Sequence, residues 1–417
     1  MNHMKLAIIG GGASGLIAAI TAANQGAEVT IFEKNDRIGK KILATGNGKC
    51  NITNLYQDIQ CYHSGNLDFV MEVLNQFPVT ETISFFETLG LILKNKNGYI
   101  YPYSEQASTV LDLLRMETYY QRVKVELQTQ VQDIQIENQQ FILTFDNDSK
   151  SKGSFDSVIL CTGSMAGMKG TIANNGYEIL KKMGHTIINP YPCLVQLKGT
   201  ENFYKAISGV RCSAKVSVEI NQKIVAEEVG ELQLTDQGIS GIVVFQISSY
   251  VTKALAEHKK VWVHIDFLPD MDLEDYKQFY KIRLLAQGYK TAEEFFTGLL
   301  NKKIILLFLK LAGLKAEDVL TMENESCFIQ VFQMMKDFKI QIHSSGGFEQ
   351  AQVSGGGVCF DDFYHTLESK FIPGFYCCGE VMDVDGICGG YNLQWAWASG
   401  YVAGMNAVKK GISRDTN

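Results

Sequence analysis

The sequence lacks the segments that a membrane, a nucleic acid or a disulfide framework would require. Its most apolar run, residues 304–309, ends at Lys310, far short of the roughly 20 residues that cross a bilayer. The formal net charge is −7 and the basic residues form no block, so no nucleic-acid partner is expected. The ten cysteines include no Cys-x-x-Cys pair, which indicates neither a zinc site nor a redox dithiol.

These absences favour a globular protein of the cytoplasm. No basic leader precedes the first glycine loop, so no signal peptide is predicted, and scattered cysteines are typical of a reducing compartment. The seven histidines are isolated in sequence, and neither metal-ligand spacing nor a Ser-His-Asp arrangement is present. The 417 residues are enough for about two to three domains.

What the sequence does contain is the pattern of a dinucleotide-binding β-α-β unit at its N-terminus. Strands are predicted at Lys5–Ile9 and Glu28–Phe32, with a helix of small residues between them. Gly10, Gly12 and Gly15 form Gly-x-Gly-x-x-Gly at the start of that helix. The first glycine permits a tight turn, the second lets the backbone approach a pyrophosphate, and the third allows close helix–strand packing.

An acid at the end of the second strand narrows the choice of nucleotide. The carboxylate of Glu33 is placed to accept hydrogen bonds from ribose hydroxyls and would repel a 2′-phosphate, which favours FAD or NAD over NADP. The helix predicted over residues 16–23 presents free N–H groups and its positive dipole end to the phosphates.

Three later segments favour FAD over NAD. Residues 39–54 form a loop rich in glycine, asparagine and threonine that can pass close to a flat ring. Two buried strands end at Thr162-Gly163 and at Gly379-Glu380, and an acid there can accept hydrogen bonds from ribityl hydroxyls. A helix that begins near Asn392 would direct its N-terminal amides at the flavin pyrimidine edge.

Residues 10–33, 39–54 and 379–394 resemble the HI0933-like flavoproteins, also called the BaiN/RdsA or aminoacetone-oxidase family of NAD(P)/FAD-dependent oxidoreductases. The block Gly-Gly-Tyr-Asn-Leu-Gln at residues 389–394 is the most specific part of the resemblance, which spans nearly the whole chain. The resemblance implies FAD contacts at Ser14, Glu33, Lys34, Lys40, Asn47, Asn51, Val131, Glu380, Asn392 and Leu393. With the motif residues, the candidate cofactor set also contains Gly10, Gly12, Ala13, Gly15, Gly46, Thr162, Gly163 and Gly379.

The expected fold class is α/β, with a split Rossmann-type FAD-binding domain at residues 1–190 and 340–417. Short alternating runs predict an inserted β-domain at residues 190–268 with 325–340. Helical periodicity predicts a helical subdomain at residues 269–324, where Thr291 and Glu294 have capping-box spacing. Ligand sites commonly form where domains meet, so the insertion is a candidate substrate lid; a structural or dimerising module is the alternative.

No catalytic residue can be assigned from the sequence. Cys50 lies in the flavin loop, but the second cysteine of a disulfide reductase is missing, which favours a structural thiol. Tyr391 could face the flavin or serve packing, and His264 is expected to be a satisfied core histidine. The loop at residues 162–170 departs from the family's Thr-Gly-Gly and proline pattern on the side where substrate is expected, which leaves the substrate open.

Three functions are compatible with these patterns. The first is NAD(P)H-linked reduction of a small enone-like or steroid-like substrate, with NADH or NADPH docking transiently because no second Gly-x-Gly-x-x-Gly follows a strand. The second is an amine oxidase that forms peroxide. The third, from another class, is an RNA-modifying flavoprotein. The net negative charge of the protein argues against it. The partner expected is a small molecule, and the sequence does not indicate an oligomeric state.

Overall fold

The computed structural model describes residues 4–146, 153–167 and 175–414. The described chain forms two units, residues 4–190 with 353–414 and residues Tyr191–Gln352. The helices are α1 (Ala13–Asn24), α2 (Leu67–Gln76), α3 (Val79–Thr88), α4 (Ala107–Tyr120), α5 (Asn175–Lys182), α6 (Tyr204–Ile207), α7 (Ile242–Ala256), α8 (Leu273–Gln287), α9 (Ala292–Phe296), α10 (Lys302–Leu311), α11 (Glu325–Lys336) and α12 (Tyr391–Arg414).

The strands are shorter and more numerous than the helices. They are β1 (Lys5–Ile9), β2 (Glu28–Phe32), β3 (Thr53–Asn54), β4 (Tyr62–Ser64), β5 (Leu93–Lys96), β6 (Tyr99–Pro102), β7 (Lys124–Glu126), β8 (Val131–Glu137), β9 (Gln140–Phe145), β10 (Gly153–Phe155), β11 (Ser157–Leu160), β12 (Ile187–Cys193), β13 (Leu197–Gly199), β14 (Arg211–Ile220), β15 (Lys223–Leu234), β16 (Gly238–Ser240), β17 (Val261–Asp266), β18 (Phe338–Ser345), β19 (Val353–Val358), β20 (Phe375–Cys377) and β21 (Val384–Gly386).

The central sheet of the first unit is parallel, with strand order β20-β11-β1-β2-β7. β1 and β11 contain the apolar runs Leu6–Ile9 and Val158–Leu160, whose side chains are buried on both faces, as expected for inner strands of a parallel sheet. The chain leaves β1 for β2 on one side and reaches β11 on the other, so the strand order reverses between β1 and β11. Open α/β sheets bind ligands at such a switch point, beyond the carboxyl ends of the strands.

Helices α1 and α12 pack against each other through small residues. A Cβ atom added at Gly400 would lie 2.4 Å from the Ser14 carbonyl oxygen, and one added at Gly404 would lie 2.7 Å from that of Ala18. Only glycine allows the two backbones to come this close. The helix near the end of the chain is therefore fixed to the helix that begins the dinucleotide motif.

The second unit contains a closed six-stranded barrel, in the order β13-β16-β15-β14-β17-β18. The barrel strands and helices α7 to α11 contribute to one continuous apolar core. The capping box predicted at Thr291 is present, because its hydroxyl accepts a hydrogen bond from the Glu294 amide and the Glu294 carboxylate accepts one from the Thr291 amide. Helices and strands share one core here, where the sequence had suggested two separate subdomains.

Two stretches that the sequence analysis placed within the predicted β-domain are helical. Residues 242–256 are rich in isoleucine and valine, which favours a strand, yet Val243, Ile247 and Val251 repeat at a helical spacing and form the buried face of α7. Residues 325–336, expected within the β-domain, form α11. The first unit resumes at Val353 and not near 340, because Phe338–Ser345 alternates buried and exposed side chains and closes the barrel as β18.

Within the described ranges, no helix combines the length and the apolar character needed to cross a membrane.

Candidate functional site

The predicted cofactor residues follow the carboxyl ends of four neighbouring parallel strands. Gly10 comes after β1, Glu33 after β2, Thr162 after β11 and Gly379 after β20. Backbone hydrogen bonds hold these loops together: the Gly10 amide donates to Phe32 (2.9 Å), that of Cys161 to Ile9 (2.9 Å) and that of Cys378 to Leu160 (3.1 Å). Residues more than 350 positions apart in sequence thus share one edge of the sheet.

The glycine turn is tightly packed on the protein side and open on the other. Gly10 has φ +109°, and a Cβ there would lie 2.4 Å from the Cys161 carbonyl oxygen; one at Gly15 would lie 2.0 Å from that of Gly10. A Cβ at Gly12, by contrast, meets no atom within 4 Å. Gly12 caps α1 without a side-chain hydrogen bond, and the first turn contains no acid to neutralise the helix dipole. The close approach of backbone at Gly10 and Gly15 requires glycine at both positions, and the phosphate-binding role of Gly12 stays a prediction.

Glu33 connects the glycine turn to the end of β2. One carboxylate oxygen of this buried residue accepts a hydrogen bond from the Gly11 amide (2.9 Å), and the other accepts two from Asn35, one from its amide (2.8 Å) and one from its side chain (2.6 Å). The Thr129 amide donates to the Glu33 carbonyl (2.9 Å), which leads the chain to the buried Val131 at the start of β8. Glu33 and Val131 therefore lie at the same edge.

The late segment meets the N-terminal motif at Ser14. Gly379 has φ +78°, and a Cβ on it would lie only 2.3 Å from the Ser14 hydroxyl. The next residue, Glu380, accepts hydrogen bonds from Lys41 Nζ (2.6 Å) and from the Ser164 hydroxyl (3.2 Å). Three loops, from residues 39–54, after β11 and after β20, converge on one carboxylate.

Two buried polar atoms in this region lack a partner. Asn51 Oδ1 and Thr162 Oγ1 are inaccessible to solvent and make no hydrogen bond within the part of the chain that the structure describes. A buried acceptor or donor left unpaired costs about 1–3 kcal/mol, and a polar ligand would remove that cost. Both residues belong to the predicted flavin site. These two atoms, the open space at Gly12 and the N–H groups at the start of α1 fit FAD.

The loop at residues 39–54 differs in detail from the prediction. Lys34 and Lys40 are exposed, and Lys40 lies 3.8 Å from Asp36, whereas Lys41 contacts Glu380. Gly46 and Asn47 are exposed with left-handed φ angles of +55° and +53°. Residue type alone does not distinguish Lys41 from Lys40, because the direction in which each side chain of a loop points depends on the backbone conformation.

The Asn392 side chain is occupied by its own loop. Its amide oxygen accepts from the Gly386 N–H (2.8 Å) and its amide nitrogen donates to the Gly386 carbonyl (2.7 Å), so these two bonds fix the orientation of the Asn392 side chain. Leu393 is half-buried beside it. Sequence reasoning also missed Ser164, for which no motif gave a signal. Met168 to Gly170, the last part of the departing loop, lie outside the described residues.

The three residues considered for catalysis, Cys50, Tyr391 and His264, are buried in the core or form ion pairs. Cys50 is fully buried, and burial raises the pKa of its thiol to about 12. Tyr391 packs edge-on against Tyr62 with ring centroids 5.8 Å apart, and burial raises the pKa of its hydroxyl. His264 is a satisfied histidine, but it is half-buried on the outer face of the barrel, between Glu219 (2.8 Å) and Asp337 (2.6 Å).

Comparison with known proteins identifies the family. The HI0933-like protein Rossmann domain matches residues 4–406. The 3-dehydro-bile acid delta(4,6)-reductase of Clostridium scindens is 42 % identical over 97 % of this chain and 99 % of its own. The ribosomal RNA dihydrouridine synthase of Haemophilus influenzae is 30 % identical over 97 % of this chain and 98 % of its own.

A solved structure has the same fold. It is that of 3-ketosteroid delta1-dehydrogenase from Sterolibacterium denitrificans, with a TM-score of 0.51 and 11 % identity over 98 % of this chain and 100 % of that one. The family match and the full-length relatives agree with the strand-edge geometry, so the chain belongs to the HI0933-like Rossmann-domain family and is an FAD-dependent oxidoreductase.

Proposed function

We propose that this enzyme transfers two electrons from NADH or NADPH to a carbon–carbon double bond conjugated with a ketone, in a small steroid-like substrate. The observation that carries the proposal is the 42 % identity, over nearly the full length of both chains, to a protein named as a bile-acid reductase. In the net reaction the nicotinamide gives up a hydride, and the double bond takes up that hydride equivalent and one proton.

The residues at the sheet edge would bind and orient FAD, which supplies hydride transfer when bound. Gly12 and the N-terminus of α1 would hold the pyrophosphate, and Glu33 the ribose. Glu380, which already binds Lys41 and Ser164, would accept hydrogen bonds from the ribityl chain. The backbone amides at Asn392 and Leu393 would stabilise negative charge on the flavin pyrimidine edge.

The experiment is an anaerobic titration of the FAD-loaded protein with NADH and with NADPH, followed at the flavin absorbance band. We expect bleaching by at least one donor and recovery of the band when a 3-oxo-Δ4 steroid is added. If neither donor bleaches the flavin, the proposal is wrong.

Two alternative functions have distinct outcomes in related assays. Peroxide formed from a small amine in air, without a nicotinamide, would identify an amine oxidase. RNA modification has the support of the relative named as a ribosomal RNA dihydrouridine synthase, and salt-sensitive retention of RNA by the holoenzyme would indicate it. The formal charge of −7 favours the small-molecule reaction. We place the enzyme in the cytoplasm, because its cysteines are scattered along the sequence without a Cys-x-x-Cys pair, which is typical of a reducing compartment.

A further inference from the structure

A basic and aromatic cleft lies beside the flavin loop and has no role in the function described so far. It is lined by Lys49, Lys96, Tyr99 and Tyr101, opens to solvent, and has about 210 Å³ of free volume. That volume accommodates one end of a small molecule and is below the roughly 300 Å³ at which pockets enclose a whole drug-sized ligand. We name it the Lys–Tyr cleft.

The hairpin β5–β6 builds the cleft by simple alternation. Asn97 and Gly98 have φ +52° and +92°, the left-handed pair typical of a two-residue hairpin turn. The register pairs Lys96 with Tyr99 and Lys94 with Tyr101. Because side chains alternate between the faces of a strand, lysines and tyrosines share one face while Ile100 and Pro102 are buried on the other.

The cleft has more positive than negative charge. Lys96, Lys94 and Lys49 lie 2.6, 3.1 and 3.4 Å from the carboxylate of one residue, Glu105. These three ammonium groups lower the pKa of Glu105 to about 2, so the carboxylate stays ionised at neutral pH. Three cations facing one anion leave a local excess of two positive charges on a protein whose net charge is −7. Such a patch attracts an anionic ligand.

The position of the cleft connects it to the cofactor loops. Tyr101 lies 3.9 Å from the place of a Cβ at Gly46, and Tyr99 lies 3.0 Å from the place of a Cβ at Gly389. Gly46 belongs to the loop expected to pass the flavin, and Gly389 precedes the start of α12. A reactant held in the cleft would therefore have its far end close to the flavin site.

We propose that the Lys–Tyr cleft binds the anionic group of a reactant and that its tyrosines hold the adjoining ring system. The chemistry is an anion attached to a rigid ring body, and it has two sources: a carboxylate on the steroid-like substrate or the 2′-phosphate of NADPH. The inference rests on the proposed function, because that function supplies the two reactants.

The test compares charged and neutral ligands on the FAD-loaded protein. The variant is Lys94→Gln with Lys96→Gln, the control is Lys181→Gln on α5, an exposed lysine paired with Glu178, and Lys96→Arg tests rescue by charge. Isothermal titration uses a 3-oxo bile acid against its methyl ester, and NADP⁺ against NAD⁺. KM is measured for the same pairs, with NADPH and NADH as donors.

We expect the double variant to weaken binding of an anionic probe at least about three-fold, to leave its neutral or unphosphorylated counterpart unchanged, and to leave kcat nearly unchanged. Loss confined to the bile acid identifies the substrate as the source, and loss confined to NADP⁺ identifies the donor. Equal effects within both pairs, or none, would overturn the proposal. Binding is measured without turnover. If the reduction reaction failed, the proposed function would be refuted, and the binding data would still test the proposal for the Lys–Tyr cleft.

Discussion

At the residue scale, we expect Gly12 to be required for cofactor binding and not for folding. The space around a Cβ at this position is empty, and its φ of −82° is open to any residue, so Gly12→Ala should fold with an unchanged apoprotein melting temperature. The new methyl group would occupy the space predicted for the pyrophosphate, and FAD should bind at least about ten-fold more weakly. Flavin fluorescence quenching measures the affinity.

Gly15→Ala provides the contrast, because its Cβ would lie 2.0 Å from the Gly10 carbonyl oxygen and should destabilise the apoprotein itself. Wild-type FAD affinity in Gly12→Ala would contradict the assignment of this turn to the cofactor.

Cys50 illustrates how burial determines the reactivity of a thiol in the flavin loop. With a pKa of about 12, only about one thiol in ten thousand is ionised at pH 8, and the side chain is fully buried. We expect iodoacetamide at pH 8 to label the half-exposed Cys327 in the native protein and to label Cys50 only after denaturation. Peptide mass spectrometry checks this, and native labelling of Cys50 would restore it as a candidate nucleophile.

At the element scale, the packing of α12 against α1 holds the glycine turn at the start of α1 in place. Gly400→Ala would place a methyl group 2.4 Å from the Ser14 carbonyl oxygen and force the two helices apart. We expect the free energy of unfolding to fall by about 1–3 kcal/mol and FAD affinity to fall with it, since Ser14 lies in the first turn of α1. Denaturant unfolding and flavin titration measure the two effects.

The matched control for this change is Gly347→Ala, where no atom lies within 4 Å of the added Cβ and φ is not left-handed. It should change the unfolding free energy by less than about 0.5 kcal/mol. If Gly400→Ala behaved like this control, the packing of α12 on α1 would not support the site.

Helices and strands were predictable where the preference of the local sequence agreed with the structure that tertiary packing favours. The bounds of β1 and β2 follow directly from short, mainly apolar runs that end at glycine or at an acid, and the predicted capping box begins α9. α7 was not predictable, because its isoleucines and valines favour a strand and only the burial of one helical face overrides that preference.

At the scale of the whole molecule, all predicted cofactor residues lie in the first unit. FAD should therefore protect backbone amides of residues 4–190 and 353–414 from hydrogen exchange and leave the core strands of the barrel, such as β14 and β17, unchanged. At a free FAD concentration one hundred times its Kd, the expected stabilisation is about 2.7 kcal/mol. Hydrogen exchange with mass spectrometry measures it, and protection confined to the barrel would contradict the assigned location of the site.

The sequence by itself determined the family, the α/β class and the glycine turn with its acid, because each depends on residues close together in the chain whose spacing encodes their geometry. Only the tertiary structure decided that Lys41 and Ser164, and not Lys40, contact Glu380, that the Asn392 side chain is occupied by Gly386, and that Ser14 meets Gly379. These contacts join segments far apart in sequence. They depend on the backbone conformation of loops and on the close approach of two helices, and no local sequence pattern specifies either.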